Sequence, residues 1–182
     1  MTDATDNFNR ASIGTDWTMG FNSIVISAST VAKGNTAADE NTAWWNANSF
    51  GSDQYSQVEL RVDADGGGPL VRHQSAANTF YVFPTGGATC TLYEVTAGSF
   101  VALGAAYSNN AGVGTVLKLD ATGSTLTPSF DGTALATRTD ASITGGAPGL
   151  HCFSTTISED NWLGGPLTSV GDTLSVQVMR WI

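Results

Sequence analysis

The chain has 182 residues, about one domain's worth, and only 13% of them are charged against 41% apolar; an ordinary soluble domain carries roughly a quarter charged residues. With 24 Thr and 21 Gly but only 2 Lys, it is rich in β-branched and turn-forming residues and poor in helix formers, which excludes a helical bundle. Seven basic against 16 acidic side chains leave a net charge of −9 with no basic cluster, so nucleic acid and anionic membrane are excluded as partners.

The start, Met1 to Asp6, shows neither the basic nor the apolar region of a secretion signal, and no apolar run approaches the ~20 residues of a bilayer span. That start is expected of a protein made and assembled inside the cell; the alternative is a mature domain cut from a secreted parent. Residues 23–29 form the first apolar, β-branched run. Residues 36–48 are the only stretch able to make a helix, and they are too short and polar to hold one unaided. Further along, Val58, Leu60 and Val62 alternate with Gln57, Glu59 and Arg61, which predicts a strand with one buried and one solvated face. Strands are also predicted over residues 68–75, 79–84, 89–95 and 100–106. Leu117 and Leu119 then flank Lys118, and runs at 125–130 and 133–139 follow. Leu150 and Cys152 flank His151, and Leu174, Val176 and Val178 alternate with Ser175, Gln177 and Met179. The turns fall at Asp65–Gly68, Gly86-Gly87, Ala97-Gly98, Thr122-Gly123, Asp131-Gly132 and Gly145-Gly146. Asp131-Gly132, set between two alternating runs, is the clearest hairpin. Short strands throughout, with no linker, predict one all-β domain over residues 1–182, an antiparallel sandwich or barrel of two sheets. Cys90 and Cys152 lie in strand-like runs and read as two buried thiols, with a disulfide as the alternative.

Little in the chain carries catalytic chemistry. A glycosidase needs two carboxylates flanking the scissile bond. Glu59, Asp63 and Asp65 share a face by their even spacing, but Arg61 stands between the first two and Asp65 opens a triple-glycine turn. The stretch reads as a solvated strand ending in a hairpin. A calcium loop begun at Asp63 would end on Gln74 where an acid is needed. There is no Gly-x-Ser-x-Gly elbow, and Gly66–Gly68 leads into a strand where a phosphate loop would need a helix. His73 and His151 sit in strands as packed or surface residues, and two His with two Cys at wide spacing do not make a zinc site. No catalytic residue and no obligate cofactor is expected. For binding, Trp44-Trp45 beside Asn46 and Asn48 stands out: an indole covers the apolar face of a sugar ring while amides bond its hydroxyls. Neighbouring strand residues point oppositely, so one Trp at most faces a ligand and the other packs inside.

Several short motifs in order carry a resemblance. They are Asp6–Trp17, Tyr55–Leu60, Pro69–Arg72, Phe80–Val82, Val116–Leu126, Phe130–Gly132, Thr139-Asp140, Gly145–Gly149 and Glu159–Trp162. Together they resemble laminin-G-like members of the concanavalin A-like lectin and glucanase superfamily. The resemblance implies an antiparallel jelly roll with a concave and a convex sheet, and core positions for Trp17 and Trp162. It also implies a structural calcium where the chain ends meet, held by Asp6, Asp160 and backbone carbonyls. The superfamily holds glycan binders, glycosidases and structural modules of phage virions, so the fold alone does not choose. Taken with the missing catalytic acids and the absent export signal, the expectation is a non-enzymatic structural or decoration protein of a virion. Its partners are then other virion proteins or copies of itself. The alternative is an extracellular or virion-borne carbohydrate-binding module that takes glycans on Trp44 or Trp45, and a glycoside hydrolase is the remote third.

Overall fold

A computed structural model describes residues 2–28, 30–62, 66–74 and 77–167. Its strands in chain order are β1 Ala4–Asp6, β2 Trp17–Met19, β3 Ile24–Ser27, β4 Val31–Gly34, β5 Asn41–Trp45, β6 Gln54–Val62, β7 Gly67–Gln74, β8 Thr79–Val82 and β9 Thr89–Cys90. There follow β10 Tyr93–Thr96, β11 Ser99–Ala102, β12 Tyr107–Ser108, β13 Val116–Thr122, β14 Thr125–Phe130, β15 Thr133–Ala134, β16 Arg138–Thr139, β17 Ala147–Cys152 and β18 Ser158–Pro166. One antiparallel sheet runs β15-β14-β13-β6-β18-β4-β3, with β1 added to β18 and β16 to β14; the other runs β11-β10-β8-β7-β17-β5-β2. Among the described residues there is no helix.

Local chemistry explains most of these elements. In β6 the buried Val58 and Leu60 alternate with the more open Gln57, Glu59 and Arg61, as the pattern predicts, whereas Val62 is 43% exposed because the strand runs past the core. Asp131 and Gly132 both take positive φ, 46° and 76°, and let Phe130 pair directly with Thr133 in a tight hairpin. The run at 89–95 divides, since β9 pairs with β12 while β10 pairs with β8. Residues 36–48 supply β5 in place of a helix, because its Trp pair suits a pleated surface and β2 and β17 hydrogen-bond its two edges. The longest unforeseen strand is β18, whose acidic start and Gly-Gly-Pro end conceal a central position between β6 and β4. Leu174, Val176 and Val178, like Asp63 and Asp65, lie outside the described residues.

The main core lies between the sheets, where Val58, Leu60, Leu117, Leu119 and Leu126 meet Val71, Tyr81, Phe83 and Leu150. Cys90 and Cys152 are both buried, and neither is in a disulfide. Strand alternation turns Leu70, Phe80, Val82 and Val95 to the opposite face of the second sheet, where Phe21, Tyr93 and Phe100 pack over them as a second cluster. The outer face of that sheet is therefore apolar at its centre, where Phe21 packs edge-on against Phe80.

Where β17 crosses β5, the two backbones approach too closely for a side chain. A Cβ on Gly149 would fall on the Ala43 carbonyl oxygen and lie 2.8 Å from Trp44 Cα. Both obstacles are main chain in a paired strand, so Gly149→Ala is expected to cost about 2 kcal/mol in chemical denaturation. A loss below half of that would show that β5 can shift freely.

Candidate functional site

Two clefts stand out among the described residues. The first, about 520 Å³, lies where β1 pairs with β18 and is lined by Arg10, Asp16, Trp45, Gln57, Asn161 and Trp162 among others. A register shift in β18 against β6 between Asp160 and Leu163, with Asn161 at φ 48°, brings Asn161 to the wall of this cleft, its Nδ2 donating to Glu59 at 2.7 Å. Trp45 is half-buried, and its indole N–H donates to Asn48 Oδ1 at 2.8 Å. Its ring stacks on Trp162 at 5.3 Å and 20° and meets Trp17 edge-on at 5.4 Å. The indole is thus fixed on two sides by rings and at its polar end by an amide, and it reaches the cleft with little freedom left to lose.

Trp44 takes the other face of β5. It is 8% exposed and stacks on His73 at 4.2 Å and 11°, so its ring is covered by an imidazole where a ligand would have to lie. Asn46 is exposed, lines neither of the two clefts and donates to Thr18 Oγ1 at 2.6 Å. Of the predicted binding residues, the structure brings together Trp45 as a wall and Asn48 as its support.

Asp6 and Asp160 each have partners of their own. Asp6 accepts the Trp17 indole N–H at 2.7 Å and the Phe8 N–H at 2.8 Å, and forms a two-pronged pair with Arg10, which in turn holds that guanidinium firmly charged. Asp160 accepts the Asn161 N–H at 2.7 Å and lies 3.4 Å from the Arg61 guanidinium. Calcium takes six to eight oxygens. Both carboxylates are already matched by arginines, and among the described residues no three His, Cys, Asp or Glu side chains gather, so these residues do not fit a calcium ion.

Glu59 lines neither cleft. Hydrogen bonds from Asn161 at 2.7 Å and from Arg61 at 2.8 Å outweigh the effect of burial and hold its carboxyl below the usual range, which suits a fixed anion and not a proton donor.

The second cleft, about 500 Å³, lies on the outer face of the second sheet beside the apolar cluster. Tyr93, Phe100 and Phe153 line it together with Thr89, Thr91, Glu40 and His151. Tyr93 and Phe100 meet at 5.7 Å and 74°, and Phe153 is 40% exposed. Glu40 is set by its neighbour: Asp39 N–H bonds the Phe153 carbonyl at 2.9 Å, and the Glu40 Oε2 pairs with His151 Nε2. These groups come from four separate stretches of chain, at residues 40, 89–93, 100 and 151–153. No sequence pattern joins them; the pairing of β17 with β5 and β7, continued through β8 to β10 and β11, brings them to one place.

No family model and no curated protein matches the chain. Solved structures do. The carbohydrate-binding module CBM66 from Bacillus subtilis superposes with a TM-score of 0.65 at 16% identity, over 84% of this chain and 95% of that one. A prokaryotic β-1,3-1,4-glucanase (lichenase) from a mouse hindgut metagenome gives 0.57 at 8% identity, over 92% of this chain and 100% of that one. The apo Crh5 transglycosylase gives 0.56 at 11% identity, over 93% and 85% of the two chains. At such identities the likeness is one of fold, and the fold is the concanavalin A-like jelly roll that the motifs implied. The expectation of a virion structural protein is corrected by these matches. They are with a carbohydrate-binding module and carbohydrate-active enzymes, and the alternative, carbohydrate binding, fits them better.

Proposed function

We propose that the chain binds carbohydrate in the first cleft, with the Trp45 indole against the apolar face of a sugar ring. The observation that carries this reading is a rigid, half-exposed indole at the wall of a cleft rimmed by amides and carboxylates. The cleft's volume suits a mono- or disaccharide, since ligand sites commonly run from about 300 to 1,000 Å³. Arg10 is neutralised by Asp6, which leaves Asp16 as the uncompensated charge, so the cleft favours neutral, hydroxyl-rich sugars over uronates. The Gln57 amide and the Asn161 Oδ1, whose Nδ2 is held by Glu59, then serve as the hydroxyl partners. Binding is favoured over hydrolysis because Glu59 stands outside the cleft and Asp6 is committed to Arg10 and Trp17. A glycan binder of this kind works outside the cell or at a surface.

The test is a glycan array followed by titration calorimetry on the best hit. Trp45→Ala is expected to weaken binding about tenfold or more, and Asn48→Ala, which frees the indole, about threefold. Equal affinity in Trp45→Ala would remove the cleft from the reading. If the parent binds no glycan at all, the carbohydrate reading fails.

A further inference from the structure

We infer that the second cleft is a site for an organic cation, a quaternary ammonium or protonated amine, separate from the sugar cleft. Three aromatic residues line it, two of them set at 74° to each other, so ring faces are offered from more than one side. The faces of such rings are electron-rich and attract a cation within about 6 Å of the centroid. Glu40 supplies the charge. One of its oxygens is taken by His151, which is only 2% exposed, while Oε1 accepts no hydrogen bond among the described residues. Among the described residues no lysine or arginine lines the cleft, and its one basic side chain, His151, is engaged on Oε2, which leaves Oε1 to a ligand.

The charge logic excludes the opposite class. An acidic ligand would meet the Glu40 carboxylate with no lysine or arginine in the wall to offset it and with the His151 ring already paired to that carboxylate, on a molecule whose net charge is −9. A neutral sugar would leave the free carboxylate oxygen bonded to a hydroxyl and would gain nothing from the ring electrostatics. An ammonium group uses both features at once. The cleft, at about 500 Å³, is larger than a trimethylammonium head and has room for the sugar or alcohol that bears it, with Thr89 and Thr91 at hand for hydroxyls. The ammonium can thus come from a choline-type head group or from an amino sugar, and the chemistry of recognition is shared.

Choline chloride, glucosamine, N-acetylglucosamine and galacturonate are the probes, titrated into the full chain and followed by 1H–15N NMR. Choline or glucosamine is expected to shift amides around Thr89–Tyr93, Phe100 and His151–Phe153 while leaving the Trp45 indole N–H unmoved. Response to choline alone assigns the quaternary head, and response to glucosamine alone assigns the amino sugar. Glu40→Gln is expected to weaken the bound probe about tenfold and Phe153→Ala about threefold, with circular dichroism checking the fold of each. Where one variant does not fold, the other decides. The proposal is overturned if neither cation shifts these amides, if N-acetylglucosamine or galacturonate shifts the same amides with equal affinity, or if Glu40→Gln binds the cation with unchanged affinity. Loss of sugar binding in Trp45→Ala tests the first cleft only, so the two readings fail separately.

Discussion

Arg72→Ala is expected to remove about 3–5 kcal/mol of folding stability. Arg72 is 1% exposed, and its guanidinium makes three hydrogen bonds to main-chain carbonyls: Nε to Ser52 at 2.9 Å, Nη1 to Ile143 at 2.8 Å and Nη2 to Gly123 at 2.6 Å. These carbonyls belong to three different connections: the one before β6, the β13–β14 hairpin and the segment leading to β17. One side chain therefore ties both sheets together at that end of the sandwich. A hydrogen bond to a charged group contributes about 1.5–3 kcal/mol, and a buried carbonyl left without a partner adds its own desolvation cost. Two of the three sites are partly open to water, which keeps the sum below the upper limit. The backbone is arranged for this role. A register shift in β7 between Val71 and Gln74 puts Arg72 at φ 57°, and its N–H is taken by Gln54 Oε1 at 3.0 Å. Arg72→Lys, with a single ammonium that cannot span three carbonyls, should lose about half as much. Urea unfolding measures both, and a loss under about 1 kcal/mol for the alanine variant would show that the three connections hold without the guanidinium.

The second large effect is acid destabilisation through His73. The imidazole lies between Trp44 and Phe80, stacked at 4.2 Å and 5.1 Å, and both ring nitrogens are buried without a hydrogen-bond partner among the described residues. Burial pushes its pKa down to about 4 from 6.5. The unfolded chain thus takes up the proton near pH 6.5 while the folded chain refuses it until about pH 4, so protons favour unfolding within that window. At about 1.4 kcal/mol per pH unit, roughly 3 kcal/mol of stability present at neutral pH is lost by pH 4. Glu159 works in the opposite sense. Buried beside the Cys152 thiol, it has a carboxyl held well above its ordinary range, and it lowers stability as pH rises above about 4.5 because only the unfolded chain ionises there. His73→Phe keeps the stacked ring and removes the proton site, so its unfolding curve should flatten between pH 6.5 and 4 and its optimum should move toward acid. Thermal melts of parent and variant across that range decide the matter. The same acid slope in both would place the loss elsewhere.

Much of the architecture was legible before any pairing was known. The β6 alternation, the Asp131-Gly132 hairpin, the two buried thiols and the opposed faces of Trp44 and Trp45 all follow from side-chain period and turn chemistry within a few residues. The choice between the two tryptophans did not follow. Both are flanked by the same amides in sequence, and only the packing of His73 on one and the opening of a cleft beside the other separates them. The β18 strand carries no local strand signal, because it ends on Gly164, Gly165 and Pro166, residue types that favour turns. Gly164 and Gly165 are tolerated in the strand because a Cβ there would strike Trp162 and Asp3 respectively.

Composition and local period by themselves determined an all-β chain of short antiparallel strands with a net negative charge. They do so because strand preference, turn geometry and net charge are sums over neighbouring residues. Which strands lie side by side is a matter of long-range pairing, and everything that depends on it was decided by the tertiary structure alone. That includes the joining of Arg10, Trp45 and Asn161 in one cleft, and of Glu40, Tyr93, Phe100 and Phe153 in another. It also includes the burial of His73 and Arg72, whose partners lie up to about 70 residues away along the chain.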